Sequence, residues 1–145
     1  MKGNKLTITT LKAKEWCDKD EVLIHAAFQL LVDFVEKEKA GEVIDWTWNN
    51  DVKQAWYEIH SLYKWWKEIR PARKDPLMDE HIESPPFEFE KIPDSKYVRL
   101  VDWDREDHKD FADACEESVR LEKEWNEEDS DNLHRLVNIR SYLWT

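Results

Sequence analysis

Between Glu21 and Glu38 the apolar residues Val22, Leu23, Ala26, Ala27, Leu30, Leu31, Phe34 and Val35 recur at the i, i+3, i+4, i+7 spacing of one helical face. Ile24, Phe28 and Val32 add a second stripe beside the first. Two adjacent stripes predict a helix covered on most of its circumference, the central rod of a bundle. Asp18 and Asp20 offer carboxylates to its free N-terminal N–H groups, and Gly41 suits a left-handed residue after its end. One polar line interrupts the apolar surface: His25, Gln29, Asp33 and Glu36 fall within about 80° of one another at helical spacing. This line reads either as the strip facing water or as a polar cluster in a cleft, with a His25–Asp33 proton-transfer pair or part of a divalent-metal site.

The second clean pattern runs from Asp51 to Arg70, capped by Asn49 or Asn50 and stopped by Pro71. Val52, Ala55, Trp56, Ile59, Leu62, Tyr63, Trp66 and Ile69 form its core stripe, and Trp65 falls about 100° from Trp66, off that stripe. Two further helices are predicted, from about Arg105 to Asn126 and from an Asp129 or Ser130 cap to Trp144. The inner side of the first carries Phe111, Ala114, Cys115, Ser118 or Val119, Leu121 or Glu122, and Trp125; that of the second carries Leu133, Leu136, Val137, Leu143 and Trp144. Leu11–Cys17 predicts a helical turn anchored by Trp16. Ile44, Trp46 and Trp48 share one side if their segment is extended. Lys5–Thr10 and Tyr97–Trp103 have strand-like residues, and pairing them gives a two-stranded ribbon that needs helices behind it. Residues 71–95 hold all five prolines and read as a functional loop or a connector pinned by Phe87 and Phe89. The expected fold is therefore mainly α: a single-domain bundle of about four helices, with a minor two-stranded β ribbon.

Composition narrows this picture. Leu, Ile, Val and Phe make up 34 of 145 residues, and nine Trp reinforce the case for a folded core. Two glycines in the whole chain argue against a β-sandwich and a Gly-rich phosphate loop. No apolar run approaches the ~20 residues of a membrane span, and MKGNKLTITTLKAKEW lacks an apolar core of signal-peptide length. Cys17 and Cys115 have no metal-ligand spacing and read as idle thiols. The expectation is a soluble, intracellular protein without a cofactor or a recognisable metal site.

The net charge of −11 disfavours nonspecific binding to nucleic acid or anionic membranes and suits a basic partner. It is unevenly spread. Lys64–Lys74 carries a net +4, while Asp102–Asp131 carries a net −10. The acidic tract reads as a solvated helix face, as a mimic of the DNA phosphate row, or as the surface against which the basic end of the second helix rests. That basic end offers a candidate contact surface of Lys64, Trp65, Lys67, Arg70, Arg73 and Lys74. An indole plane can stack a base while Lys or Arg holds its phosphate. Asp33/Glu36, Glu124/Glu127 and Glu128/Asp131 fit the acidic spacing that helical nucleotide pyrophosphatases use for Mg²⁺, a spacing that chance also supplies in a chain with 33 acids.

Three segments carry a family likeness: Leu23–Glu36, the Glu58–Pro71 stretch with its paired Trp65-Trp66, and the ending from Leu136 through Ile139-Arg140 to Leu143-Trp144-Thr145. Together they resemble a family of small, acidic, uncharacterised proteins of tailed bacteriophages. The resemblance implies a viral origin and expression in the bacterial host cytoplasm, and it implies no activity. The leading functional expectation is a non-enzymatic phage accessory protein that binds a host protein or sequesters a small nucleotide. The alternatives are a virion component packing through Trp-rich surfaces, self-association included, and a Mg-dependent nucleotide hydrolase.

Overall fold

Helix α1 spans Lys19–Val32 in the computed structural model, which describes residues 5–144, and continues as a π-helical turn over Asp33–Lys37. A short α2 (Ala40–Val43) follows, then α3 (Asn50–Lys64), whose end also widens into a π-helical turn over Trp65–Ile69 and closes as a 3-10 turn over Arg70–Ala72. Strands β1 (Phe89–Lys91) and β2 (Val98–Leu100) precede α4 (Lys109–Asn138), and a 3-10 turn at Arg140–Tyr142 ends the described chain. The fold is mainly α with a two-stranded antiparallel ribbon. Met1–Asn4 and Thr145, which belong to the N-terminal stretch and the final segment discussed above, lie outside the described residues. No helix among the described residues is long and apolar enough to cross a membrane.

The chain divides into two compact units, Met1–Arg73 with Glu127–Thr145, and Lys74–Asn126. The first holds the main core. Phe28, Leu31, Ile59 and Leu62 are fully covered, and Trp46, Trp65, Trp66 and Leu136 close around them. Phe28 stacks on Trp66 at 4.7 Å and meets Trp65 at 5.1 Å. Burying such a side chain contributes about 1.5–3 kcal/mol. As expected, Asn49 caps α3, its side chain accepting from Val52 N at 2.9 Å. The core is less closed than two stripes imply, since Leu23, Leu30 and Ile69 are exposed. The helices expected from about Arg105 to Asn126 and from an Asp129 or Ser130 cap to Trp144 are one rod over Lys109–Asn138, and the stretch after it is a 3-10 turn at Arg140–Tyr142. No Gly or Pro interrupts residues 109–138. The Asp129 carboxylate accepts from arginines instead of capping a new helix.

Other local expectations are corrected. Asp18 sits at the N-cap of α1 without a side-chain cap bond. The left-handed residue after the π turn is Lys39 (φ 54°), not Gly41, which lies inside α2. Gly41 is needed there for another reason: a Cβ at this position would stand 3.0 Å from the Trp56 indole. Trp56 in turn stacks on Trp46 at 4.5 Å, and Trp46 Nε1 donates to Ala40 O. Trp46 and Trp48 do not share a side. Thr47 N and Oγ1 both donate to Asp45 Oδ1, which turns the chain, so Trp46 goes inward while Trp48 stays 76% exposed. Trp16, expected as the anchor of a helical turn, is exposed.

In the second unit β1 pairs with β2, Phe89 opposite Leu100 and Lys91 opposite Val98. Tyr97–Trp103 therefore contributes its strand to a local hairpin, and Lys5–Thr10 forms no strand. Pro93 and Asp94 (φ 56°) turn the hairpin loop, with Ser95 N donating to Ile92 O, so Asp94 holds the left-handed position that glycine usually takes. Phe87 and Phe89, expected to pin the connector, are exposed; Pro85 is the buried residue of that stretch. Trp103 packs edge-on to Phe111 and His108.

Candidate functional site

The basic-aromatic end of α3 is brought together as the charge pattern predicts, but inside the protein's own contacts. Trp65 is 4% exposed and lies against Phe28, so its indole presents no stacking face. Its Nε1 has no hydrogen-bond partner among the described residues. The misplacement on sequence has a simple cause. Trp65 is three residues beyond Leu62, and α3 is covered on that flank too, because Arg135 of α4 donates to Glu58 at 2.6 and 2.9 Å and to Ser61 at 3.0 Å. Arg70 donates to Asp129 at 2.8 Å and to Glu21 at 3.2 Å, over the Trp66 ring. Arg73 pairs with Asp129 at 2.7 Å and with Glu128, over the Trp65 ring. Lys67 pairs with Glu36 at 3.0 Å. Only Lys64 and Lys74 of the six are exposed without an ion pair among the described residues. The cluster is thus a clamp that ties α1, the end of α3 and α4, the third of the readings for the acidic tract.

Electrostatics agree with a clamp. Burial alone would raise the Asp129 carboxyl, but the bonds from Arg70 and Arg73 outweigh it and leave the group below its ordinary range. Burial and the Arg70 charge both push His25 down, against a smaller opposing pull from Glu21. Glu36 is lowered by its bonds from Tyr63 and Lys67, and the same contact pushes the Tyr63 hydroxyl up to about 12.

The polar line of α1 is neither a plain water-facing strip nor a metal cluster. Gln29 is buried, its Oε1 accepting from Thr9 N at 2.9 Å and Thr9 Oγ1 at 2.8 Å, while its Nε2 donates to Asp33. His25 Nδ1 stands 2.6 Å from Thr10 Oγ1. Asp33 also pairs with Lys37. His25 and Gln29 thus dock the N-terminal arm, while Glu36 accepts from Tyr63 and pairs with Lys67. Among the described residues no three His, Cys, Asp or Glu side chains converge as a metal would need. Of the acidic pairs with pyrophosphatase-like spacing, Asp33, Glu36, Glu124 and Glu128 each engage a cation of their own chain.

A different surface of the first unit remains open. Val43, Ile44, Asp45, Trp48 and Val52 on one side, and Ser141, Tyr142 and Trp144 on the other, line a groove of about 500 Å³. Ile44, Val52 and Tyr142 form its floor by packing on the core, while Trp48 and Trp144 stand 76% and 65% exposed at its rim. Among the described residues no Lys or Arg lines it, and Asp45 is the one ionised side chain that does. The Thr47 side-chain and backbone bonds hold the Asp45 carboxyl below its usual range, so it is charged at neutral pH. The sequence signal for this groove was present in part: Trp48 and Trp144 each stand near the end of an apolar stretch. What joins them is the turn at Asp45–Thr47 and the 3-10 turn at Arg140–Tyr142, neither of which has a hydrophobic period.

The second unit has a cavity of about 360 Å³ lined by His81, Glu83, Glu106, Asp107, His108, Lys109, Asp110 and Phe111. His81 is held by Asp79 and His108 by Trp103. No protein family, curated protein or solved structure matches this chain.

Proposed function

We propose that this chain is a non-enzymatic accessory protein that acts by holding an apolar segment of a protein partner in the groove between Trp48 and Trp144. The observation that carries this reading is the pair of exposed indoles over a floor of Ile44, Val52 and Tyr142. Surface aromatics of this kind are costly to leave in water and supply the anchoring energy of protein interfaces. A nucleotide is the poorer occupant. The described lining of the groove offers its phosphates no cation and sets the Asp45 carboxylate against them, and at the basic end of α3 Lys67 and Arg70 are committed to Glu36, Asp129 and Glu21 while Trp65 is buried. The resemblance to phage proteins supplies the setting, a partner from the bacterial host.

The test compares capture from host lysate by the wild-type chain and by a Trp48→Ala/Trp144→Ala variant whose circular dichroism is unchanged. Loss of the captured partner in the variant supports the reading. Equal capture by both moves the contact elsewhere and overturns it. The virion reading draws on a separate observation, the exposed apolar hairpin residues Phe89, Val98 and Leu100, which lie on one face of the ribbon. It expects concentration-dependent self-association that a Phe89→Ser/Leu100→Ser variant abolishes in sedimentation velocity.

A further inference from the structure

We infer that the segment bound in the Trp48–Trp144 groove is cationic beside its apolar anchors, with a Lys or Arg placed to meet Asp45. This rests on the reading of the groove as a protein-binding site and adds the chemistry of the partner.

Among the described residues Asp45 is the only ionised side chain lining a groove formed otherwise by aliphatic and aromatic residues and Ser141. Both Thr47 donors fall on its Oδ1, so Oδ2 takes no hydrogen bond among the described residues. The carboxyl is held ionised by these bonds. An occupant that covers it without a cation leaves a carboxylate desolvated, which is costly. An occupant with a Lys or Arg there satisfies it.

The flanking charges point the same way. Residues 42–51 hold Glu42, Asp45 and Asp51 and no cation. Lys39 pairs with Glu42, and Arg140, next to the groove wall in sequence, donates back to Val137 O. Lys53 is exposed beside Val52 and is the one nearby cation in sequence not so engaged. The chain as a whole carries −11, which draws a basic segment in over distances up to about a Debye length. The exposed Trp48 and Trp144 rings add a second favourable contact, since an ammonium or guanidinium binds an indole face.

The experiment selects a displayed random-peptide library on the immobilised full chain, with counter-selection on Trp48→Ala. Selected peptides are then titrated by calorimetry against wild type and against Asp45→Asn, which keeps an oxygen for Thr47 and so preserves the turn. The inference expects aromatic or large aliphatic residues next to Lys or Arg. It also expects about threefold weaker binding to Asp45→Asn, the size of an exposed ion pair, and a gap that closes as salt is raised. Replacing the peptide's basic residue by Gln should weaken binding to wild type more than it weakens binding to Asp45→Asn.

Peptides that depend on Trp48 but show no basic preference, or that bind Asp45→Asn as well as wild type, overturn the cationic partner and leave the groove reading standing. No enrichment above the Trp48→Ala background overturns both. A dimer of the chain itself that Trp48→Ala dissolves also overturns both, because the groove is then an interface between copies.

Discussion

Trp65 and Gly41 show how single positions acquire roles that their type does not announce. Trp65 is sealed against Phe28, and truncating it to Ala removes a large buried side chain. A loss of about 3–5 kcal/mol is expected in urea denaturation. Gly41→Ala sets two effects against each other. Replacing a helical glycine gains about 0.4–1 kcal/mol, but the new methyl meets the Trp56 indole at 3.0 Å, in the stack that holds Trp46. Overpacking costs about 1–3 kcal/mol, so a net destabilisation of about 1 kcal/mol is expected from the same measurement. His25 carries a pH signature. Its folded pKa lies below the unfolded value, so the unfolded chain binds its proton more readily, and stability is fully present above about pH 6.5 and falls below it. Asp129, Glu36 and Glu58 are likewise lowered, so their contribution is lost at still lower pH, from about pH 4 downward. The urea midpoint should therefore begin to drop near pH 6.5, and His25→Gln should delay the onset to about pH 4.

At the scale of elements, α1 serves two neighbours at once. Its apolar side packs on α3 through Phe28, and its polar line docks the N-terminal arm through Gln29 and His25. Gln29→Ala removes the acceptor of Thr9 N and Thr9 Oγ1, so the Thr9 amide should exchange much faster in hydrogen-exchange experiments. Global stability should fall by only about 1–2 kcal/mol, since the arm's described residues contribute none of the buried core. The two π turns are also joined: Glu36 in the first accepts from Tyr63 and pairs with Lys67 in the second.

Over the whole molecule the charge pattern was a guide to internal architecture more than to a ligand. The basic tract and part of the acidic tract meet as Arg70 and Arg73 on Glu128 and Asp129. The groove that stays open in the first unit is mainly apolar. The Trp48→Ala/Trp144→Ala variant should therefore lose much of the groove's binding of a hydrophobic dye while its unfolding free energy changes by no more than about 0.5 kcal/mol, the behaviour of surface side chains. A large loss of stability would mean that these indoles are structural.

The hydrophobic period by itself determined that α1 and α3 exist and that Phe28, Leu31, Ile59, Leu62 and Trp66 face inward, while the choice of Asn49 over Asn50 as the cap of α3 came with the structure. A repeat of about 3.6 residues records which face of a rod is dry. It does not record how many neighbours that rod has. The burial of Trp65, the merging of two expected helices into α4, the capture of the polar line by Thr9 and Thr10, and the joining of Trp48 to Trp144 all depend on contacts between residues far apart in the chain. Only the packing of one element on another creates those contacts, and the placement of the groove belongs with them.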